Sequence, residues 1–149
     1  MKILLTTISI FLLSVQPYAA ELDRFIKKLK LPTGQMIVVA EGEFEARSIG
    51  SFSVRLYDAA SAQDETTFFI SGLIHPRDGT IENVILNDVN NDRQPEIIVI
   101  ARSVGTGNYL SAYAFDFTGD GLFFRTAVEG LPPDVNLIAA LQEKNKEKK

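Results

Sequence analysis

The stretch SVGTGNYLS, residues 103–111, concentrates uncharged hydrogen-bonding groups in one short loop. A phosphate-binding loop is excluded, because such a loop leads into a helix and usually carries a lysine. Here a strand-like pattern follows the loop, and the neighbouring cation is Arg102. A plain hairpin turn remains an alternative, since it needs only a few residues and a glycine. The candidate functional residues are Ser103, Gly105, Thr106, Gly107, Asn108 and Tyr109.

These residue types suit a loop that enters a cleft in another protein. Hydroxyl and amide groups donate hydrogen bonds, whereas ionised carboxylates only accept them. The glycines at positions 105 and 107 keep the backbone narrow. Enzymes that cleave polysaccharides have a cleft with a pair of carboxylic residues at the reacting bond. The loop could therefore occupy such a cleft and exclude the substrate.

A second constellation of polar residues could hold a cation. Its candidate ligands are Asp88, Asn90 and Asp92, at the alternate positions from which oxygens converge on calcium. However, Arg93 stands where an EF-hand loop needs glycine, and Val99 replaces its bidentate glutamate. Asp and Asn are also common in turns, because their side chains bind the nearby backbone. We predict a structural turn, with a calcium-binding periplasmic β-module that uses residues 88–96 as the alternative.

The inventory of catalytic residues is poor. The chain has one histidine and no cysteine, so it can form neither a zinc site of the usual kind nor a Cys–His dyad. The pattern around His75, Ile-His-Pro-Arg-Asp-Gly, predicts an exposed histidine in a turn, and no nucleophile elbow supports a Ser–His–Asp triad. Glu41, Glu43 and Glu45 alternate, which predicts one solvated strand face rather than a glycosidase pair. We predict no enzyme activity, no metal and no cofactor.

Strands must position both loops. Turn residues separate the strand-like segments and no helical pattern is interleaved with them, which predicts an all-β fold. The expected architecture is an antiparallel β-sandwich or barrel-like sheet of about seven to eight strands. Short helical segments are predicted at both ends, over residues 22–30 and 131–142. The predicted strands are residues 35–41, 51–59, 66–74, 80–89, 95–103, 109–117 and 122–128.

The N-terminus predicts export. Lys2 precedes an apolar run at residues 3–15, and small residues end at Ala20, so residues 1–20 read as a signal peptide. Residues 21–149 would then form one periplasmic domain, which without cysteine depends on apolar packing. The formal net charge of −4 disfavours binding to nucleic acid or to an anionic membrane surface, and favours a basic partner.

Four blocks of the sequence resemble a known family, the periplasmic inhibitors of i-type (invertebrate) lysozyme. They are EGEFEARSIGSFSVRLYDA at 41–59, FISGLIHPRDGTIE at 69–82, DVNNDRQPEIIVIARS at 88–103 and GTGNYLSAYAFDF at 105–117. The resemblance implies an exported, β-sandwich-like inhibitor of i-type lysozyme that is commonly a homodimer, and a role in evading host defence. The remaining alternatives are a structural protein of the cell envelope, whose loop is an ordinary turn, and a hidden hydrolase.

The family inserts a loop with a Ser-Gly-x-Tyr motif into the active-site cleft of the lysozyme. By this resemblance Thr106 and Tyr109 would hydrogen-bond the enzyme's catalytic acids or their neighbours, while Ser103 and Asn108 would brace the loop or add contacts at its rim. Threonine stands where the family has serine; it keeps the hydroxyl but adds a methyl group, which could weaken the fit. The matching residues here are Thr106, Gly107, Asn108 and Tyr109.

Overall fold

The computed structural model describes residues 23–63 and 66–147, which form two four-stranded antiparallel sheets and one helix. The predicted signal peptide at residues 1–20 lies outside the described residues. The all-β sandwich is confirmed, and the sheets do not close into a barrel. The first sheet consists, in order, of β1 (Ile26–Lys30), β2 (Met36–Glu41), β3 (Ile49–Tyr57) and β4 (Phe69–Asp78). The second consists of β5 (Thr80–Asn87), β6 (Glu96–Arg102), β7 (Leu110–Phe117) and β8 (Leu122–Leu131), and α1 (Leu137–Glu147) follows.

An apolar core between the two sheets holds the sandwich together. Alternate residues of β2 and β3 point into it, as the period of a strand requires, and Val39, Phe52 and Val54 have no exposed surface. They pack against buried residues of the second sheet that include Val99 and Phe115. Each such side chain contributes about 1.5–3 kcal/mol when it is removed from water. In a chain without disulfides, this burial is the main source of stability.

The N-terminal segment is a strand, and the predicted helix over residues 22–30 is wrong. β1 pairs antiparallel with β2, with Lys28 opposite Val38. Phe25 and Leu29 pack against the core, whereas Lys28 is exposed, so the segment has the alternation of a strand. Pairing with β2 through a short turn outweighs a helical spacing that few residues support.

The C-terminal helix is confirmed in type, but it begins later than predicted, because β8 continues to Leu131. Asn136 caps it, since the Asn136 side-chain oxygen accepts a hydrogen bond from the Ala139 N–H at 3.1 Å. Leu141 is fully buried in an apolar cluster on the outer face of the second sheet, beside Ile98 and Ala112. β6 and β7 are therefore covered on both faces. Among residues 23–63 and 66–147, no helix is both long and apolar enough to cross a membrane.

Two predictions for polar residues are also wrong. His75 lies within β4, not in a turn, and its ring centroid lies 4.8 Å from that of Tyr113 and 4.7 Å from that of Phe124. The following proline is tolerated because β4 is an edge strand. The Glu41 side chain is buried rather than solvated, and Glu45 lies in the loop between β2 and β3.

Candidate functional site

The loop formed by residues 103–109 joins β6 and β7, the two central strands of the second sheet. Arg102 and Leu110 are the last paired residues on either side, so seven residues project beyond the sheet. Because both strands are packed between the core and α1, the loop stands on the most constrained part of the sheet. All six candidate residues lie in this one loop.

Backbone hydrogen bonds and one ion pair close the base of the loop. The Ser103 N–H donates to the Tyr109 carbonyl oxygen at 2.8 Å, and the Asn108 N–H donates to the Gly105 carbonyl at 3.4 Å. The Arg102 guanidinium donates to the Asn108 carbonyl at 3.2 Å and, through two nitrogens, to the Glu82 carboxylate at 3.0 and 2.9 Å. Arg102 is therefore a structural brace of the loop.

The tip of the loop is narrow and exposed. Tyr109 exposes 50% of its surface, and its ring lies over Gly107, where an added Cβ would come within 2.3 Å of a ring carbon. An added Cβ at Gly105, by contrast, would meet nothing within 4 Å. Asn108 holds a φ of 46°, in the left-handed region that asparagine tolerates better than most residues.

Two hydroxyl groups of this loop are free to bind a partner. Within the described residues, neither the Thr106 nor the Tyr109 hydroxyl has a hydrogen-bond partner, and both residues are exposed. Ser103 is half-buried at the base. The loop can thus donate hydrogen bonds from its tip without giving up any bond that holds its own shape.

The acidic turn at residues 88–96 is also a real cluster. Carboxylate oxygens of Asp88, Asp92 and Glu96 lie within 4.8 Å of one another. The sequence interpretation missed Glu96, which is only 2% exposed; its position directly before the apolar run Ile-Ile-Val was the available signal. Burial raises the pKa of Glu96, although the Val89 N–H and Arg125 oppose the shift.

Most of these oxygens already hold the turn itself. Asp88 accepts hydrogen bonds from the backbone N–H groups of Asn90, Asn91 and Arg93 at 2.7–3.2 Å. Burial raises the pKa of Asp88, but these bonds outweigh burial and the pKa lies below its usual value. The Asn90 amide nitrogen donates to Asp92 and to Glu96, at 2.7 Å each. The polar side chains of this turn therefore hydrogen-bond one another and the turn's own backbone, as is common for Asp and Asn in turns.

A well-packed sandwich that presents one narrow, exposed and uncharged loop has the architecture of a protein-binding module. Residues 23–145 match the family described as periplasmic lysozyme inhibitor of I-type lysozyme. The chain belongs to this family, which confirms the resemblance seen in the sequence. It is a lysozyme inhibitor and not an enzyme.

Two solved structures are similar to the chain. One is the crystal structure of the periplasmic lysozyme inhibitor of I-type lysozyme from Aeromonas hydrophila, with 47% sequence identity and a TM-score of 0.73, covering 78% of this chain and 98% of that chain. The other is the Aeromonas hydrophila inhibitor in complex with the lysozyme of Meretrix lusoria, also with 47% identity and a TM-score of 0.73, covering 79% of this chain and 95% of that chain. No curated protein matches the chain.

Proposed function

We propose that this chain inhibits I-type lysozyme by inserting the tip of the 103–109 loop into the substrate cleft of the enzyme. The observation that carries the proposal is the pair of exposed hydroxyls on Thr106 and Tyr109, which have no partner within the described residues. The complex of the Aeromonas hydrophila inhibitor with the lysozyme of Meretrix lusoria supports the choice of partner.

The loop would block the reaction in two ways. Glycoside hydrolysis needs a pair of carboxylic residues, a sugar between them and access for water. Thr106 and Tyr109 would donate hydrogen bonds to these carboxylates, and the loop would fill the space that the sugar and the water need. Because β6 and β7 hold the base of the loop in place, little conformational freedom is lost on binding.

Charge supports the encounter with a basic enzyme. The chain has a formal net charge of −4 and a sequence pI of about 5.0. A basic lysozyme would be attracted over about a Debye length, which is about 8 Å at physiological salt. The tip itself carries no charge, so salt should slow association more than it changes the dissociation rate.

Export and a role against host defence complete the proposal. Residues 1–20 would act as a signal peptide, and residues 21–149 would form a single domain. The family description supports the periplasm as its location. There the inhibitor would meet lysozyme from an animal host before the enzyme reaches peptidoglycan. Intact-mass measurement of the periplasmic protein tests the cleavage site after Ala20.

The chain would also form a homodimer through the edge where β4 and β8 come together. The Leu122 N–H donates to the Ser71 hydroxyl at 3.3 Å, which joins the two edge strands. Both edge strands carry large exposed apolar side chains, which a partner subunit would cover. Sedimentation velocity should show a dimer for the wild type and a monomer for a variant with Ile74→Lys and Phe123→Lys; a monomeric wild type would contradict the proposal. The exposed apolar residues of β4 and β8 are Phe69, Ile74, Phe123 and Phe124.

A lysis assay tests the proposed inhibition. The purified chain is added to an I-type lysozyme that is clearing a peptidoglycan suspension, and a c-type lysozyme is run in parallel. We expect stoichiometric loss of I-type activity that Thr106→Ala combined with Tyr109→Ala relieves. Unchanged clearing at large excess of the wild type would refute the proposal for that enzyme. Thr106→Ser should tighten inhibition if the extra methyl group weakens the fit.

A further inference from the structure

The 103–109 loop is too small to account for a stable protein complex. A specific interface usually buries about 800 Å² on each partner and involves about 20–30 residues a side. The loop has seven residues, and Ser103 and Gly107 among them are half-buried. If the loop enters a cleft, further contacts must come from the surface around its base.

The loop between β2 and β3, residues 42–48, lies at the same end of the sandwich. β2 ends there, β3 begins there and β4 ends there, with Ile49 of β3 opposite Asp78 of β4. Gly79 connects the two loops: its N–H donates to the Ser48 carbonyl at 2.7 Å. On its other side, a Cβ at Gly79 would come within 2.6 Å of the Ser103 Cα. The surface of residues 42–49 is therefore continuous with the base of the 103–109 loop.

Charged side chains hold the backbone of the 42–48 loop in place. Arg77 is 2% exposed, and its guanidinium donates to the carbonyl oxygens of Arg47 at 3.0 Å and Ala46 at 3.2 Å. The Glu45 carboxylate accepts hydrogen bonds from the Ser51 N–H at 2.5 Å and the Ser51 hydroxyl at 2.7 Å. These bonds lower the pKa of Glu45, with a smaller contribution from Arg77.

Glu41 adds a second anchor to the same loop. Its carboxylate accepts a hydrogen bond from the Ile81 N–H at 2.6 Å and forms an ion pair with Arg47 at 3.3 Å. The 42–48 loop is thus tied to β3, β4 and β5 by polar groups. Such a loop keeps its shape without help from its apolar side chains.

Two large apolar side chains at this end of the sandwich, Phe44 and Ile49, point into solvent. Phe44 is 93% exposed and adopts a φ of 60°, in a region that phenylalanine rarely occupies, and Ile49 is 67% exposed. In the free chain both side chains are largely exposed; Phe44 lies in the 42–48 loop and Ile49 is the first residue of β3. Aromatic side chains are enriched in protein-binding interfaces relative to the rest of a protein surface.

We propose that Phe44 and Ile49 form a second contact surface for the bound lysozyme, packing on the enzyme beside its cleft while the 103–109 loop enters it. This inference rests on the proposed inhibition of I-type lysozyme. The 103–109 loop would supply hydrogen bonds to the cleft, and Phe44 and Ile49 would supply apolar contact area outside the cleft. Loss of this second surface should mainly raise the dissociation rate.

Surface plasmon resonance with immobilised I-type lysozyme tests the proposal. Phe44→Ala combined with Ile49→Ala should raise the Kd about tenfold or more, because buried aromatic anchors dominate binding energy. Phe68→Ala is the matched control: this phenylalanine is 82% exposed but lies at the opposite end of the sandwich, before β4. It should change the Kd less than about twofold. Circular dichroism and melting curves establish that each variant folds.

The outcomes separate this inference from the proposed function. If the Phe44 and Ile49 variant binds like the wild type while Tyr109→Ala weakens binding, the second surface is refuted and the inserted loop stands. If the wild type binds no I-type lysozyme, both proposals fall. An equal loss of affinity in the Phe68 control would show a general effect of surface apolarity and would also refute the second surface. The single variant Ile49→Ser, once shown to be folded, tests the contribution of Ile49 to the Kd separately from that of Phe44.

Discussion

Replacing Tyr109 with alanine should remove the main apolar contact of the inserted loop. A tyrosine has about 150–250 Å² of surface to bury, and Tyr109 exposes 50% of its surface in the free chain. About 100 Å² would thus become buried in the complex, which at about 25 cal/mol per Å² amounts to about 2.5 kcal/mol. The loss of this area alone should raise the Kd about 60-fold, since each 1.4 kcal/mol is about a factor of ten. The hydroxyl adds to this figure when it pairs with a carboxylate.

Isothermal titration calorimetry against an I-type lysozyme measures this change. Tyr109→Phe is the control, because it keeps the ring over Gly107 and removes only the hydroxyl; it should cost about 1.5–3 kcal/mol if the hydroxyl meets a charged acceptor. The melting temperature of both variants should stay close to that of the wild type, since Tyr109 is not part of the core. A change in Kd below about twofold for Tyr109→Ala would refute insertion of this loop.

Three further perturbations test the structure around the site. Gly79→Ala should destabilise the fold by about 2 kcal/mol or more in urea unfolding, because the φ of Gly79 is +90° and the added Cβ would lie 2.0 Å from a carbonyl oxygen. Gly105→Ala is the comparison: the space around Gly105 is open, so this variant should leave stability unchanged but weaken binding in a narrow cleft. Glu45→Gln should lower the free energy of unfolding at pH 7, because the Ser51 N–H holds the pKa of Glu45 below 4.5. The difference in free energy of unfolding between variant and wild type should shrink as the pH falls below 4.5 and Glu45 becomes protonated. A difference that persists at pH 2 would contradict this. Calcium at about 1 mM should leave the melting temperature unchanged, because the Asp88 oxygens already accept backbone hydrogen bonds and the Asn90 amide nitrogen donates to Asp92 and Glu96. A rise in melting temperature would favour the calcium-binding alternative.

Strong local patterns made most of the fold predictable. β3 and β7 read as strands from sequence because their residues alternate or form apolar runs between turn residues. β1 could not be identified as a strand from sequence, since a segment of five residues is compatible with the period of a helix or of a strand until its pairing partner is known. Phe25, Leu29 and Leu31 were the available signal, because they share one face of a strand and all pack in the core.

The candidate loop was predictable for a different reason. Its residues are consecutive in sequence, so their chemistry could be read without knowing the fold. The surroundings could not be read in this way: Glu96 joins the acidic turn, and Arg77 supports the 42–48 loop, only after distant strands have paired. His75 was misjudged because Pro76 suggested a turn, whereas an edge strand accepts proline.

Competition with a substrate analogue tests the central claim most directly. A chitooligosaccharide that occupies the cleft of the I-type lysozyme is titrated into the complex, and the apparent Kd of the inhibitor is measured at each concentration. If the 103–109 loop lies in the cleft, the apparent Kd rises in proportion to the saccharide concentration once the cleft is saturated. A Kd that stays constant at saturating saccharide would place the inhibitor outside the cleft and contradict the account.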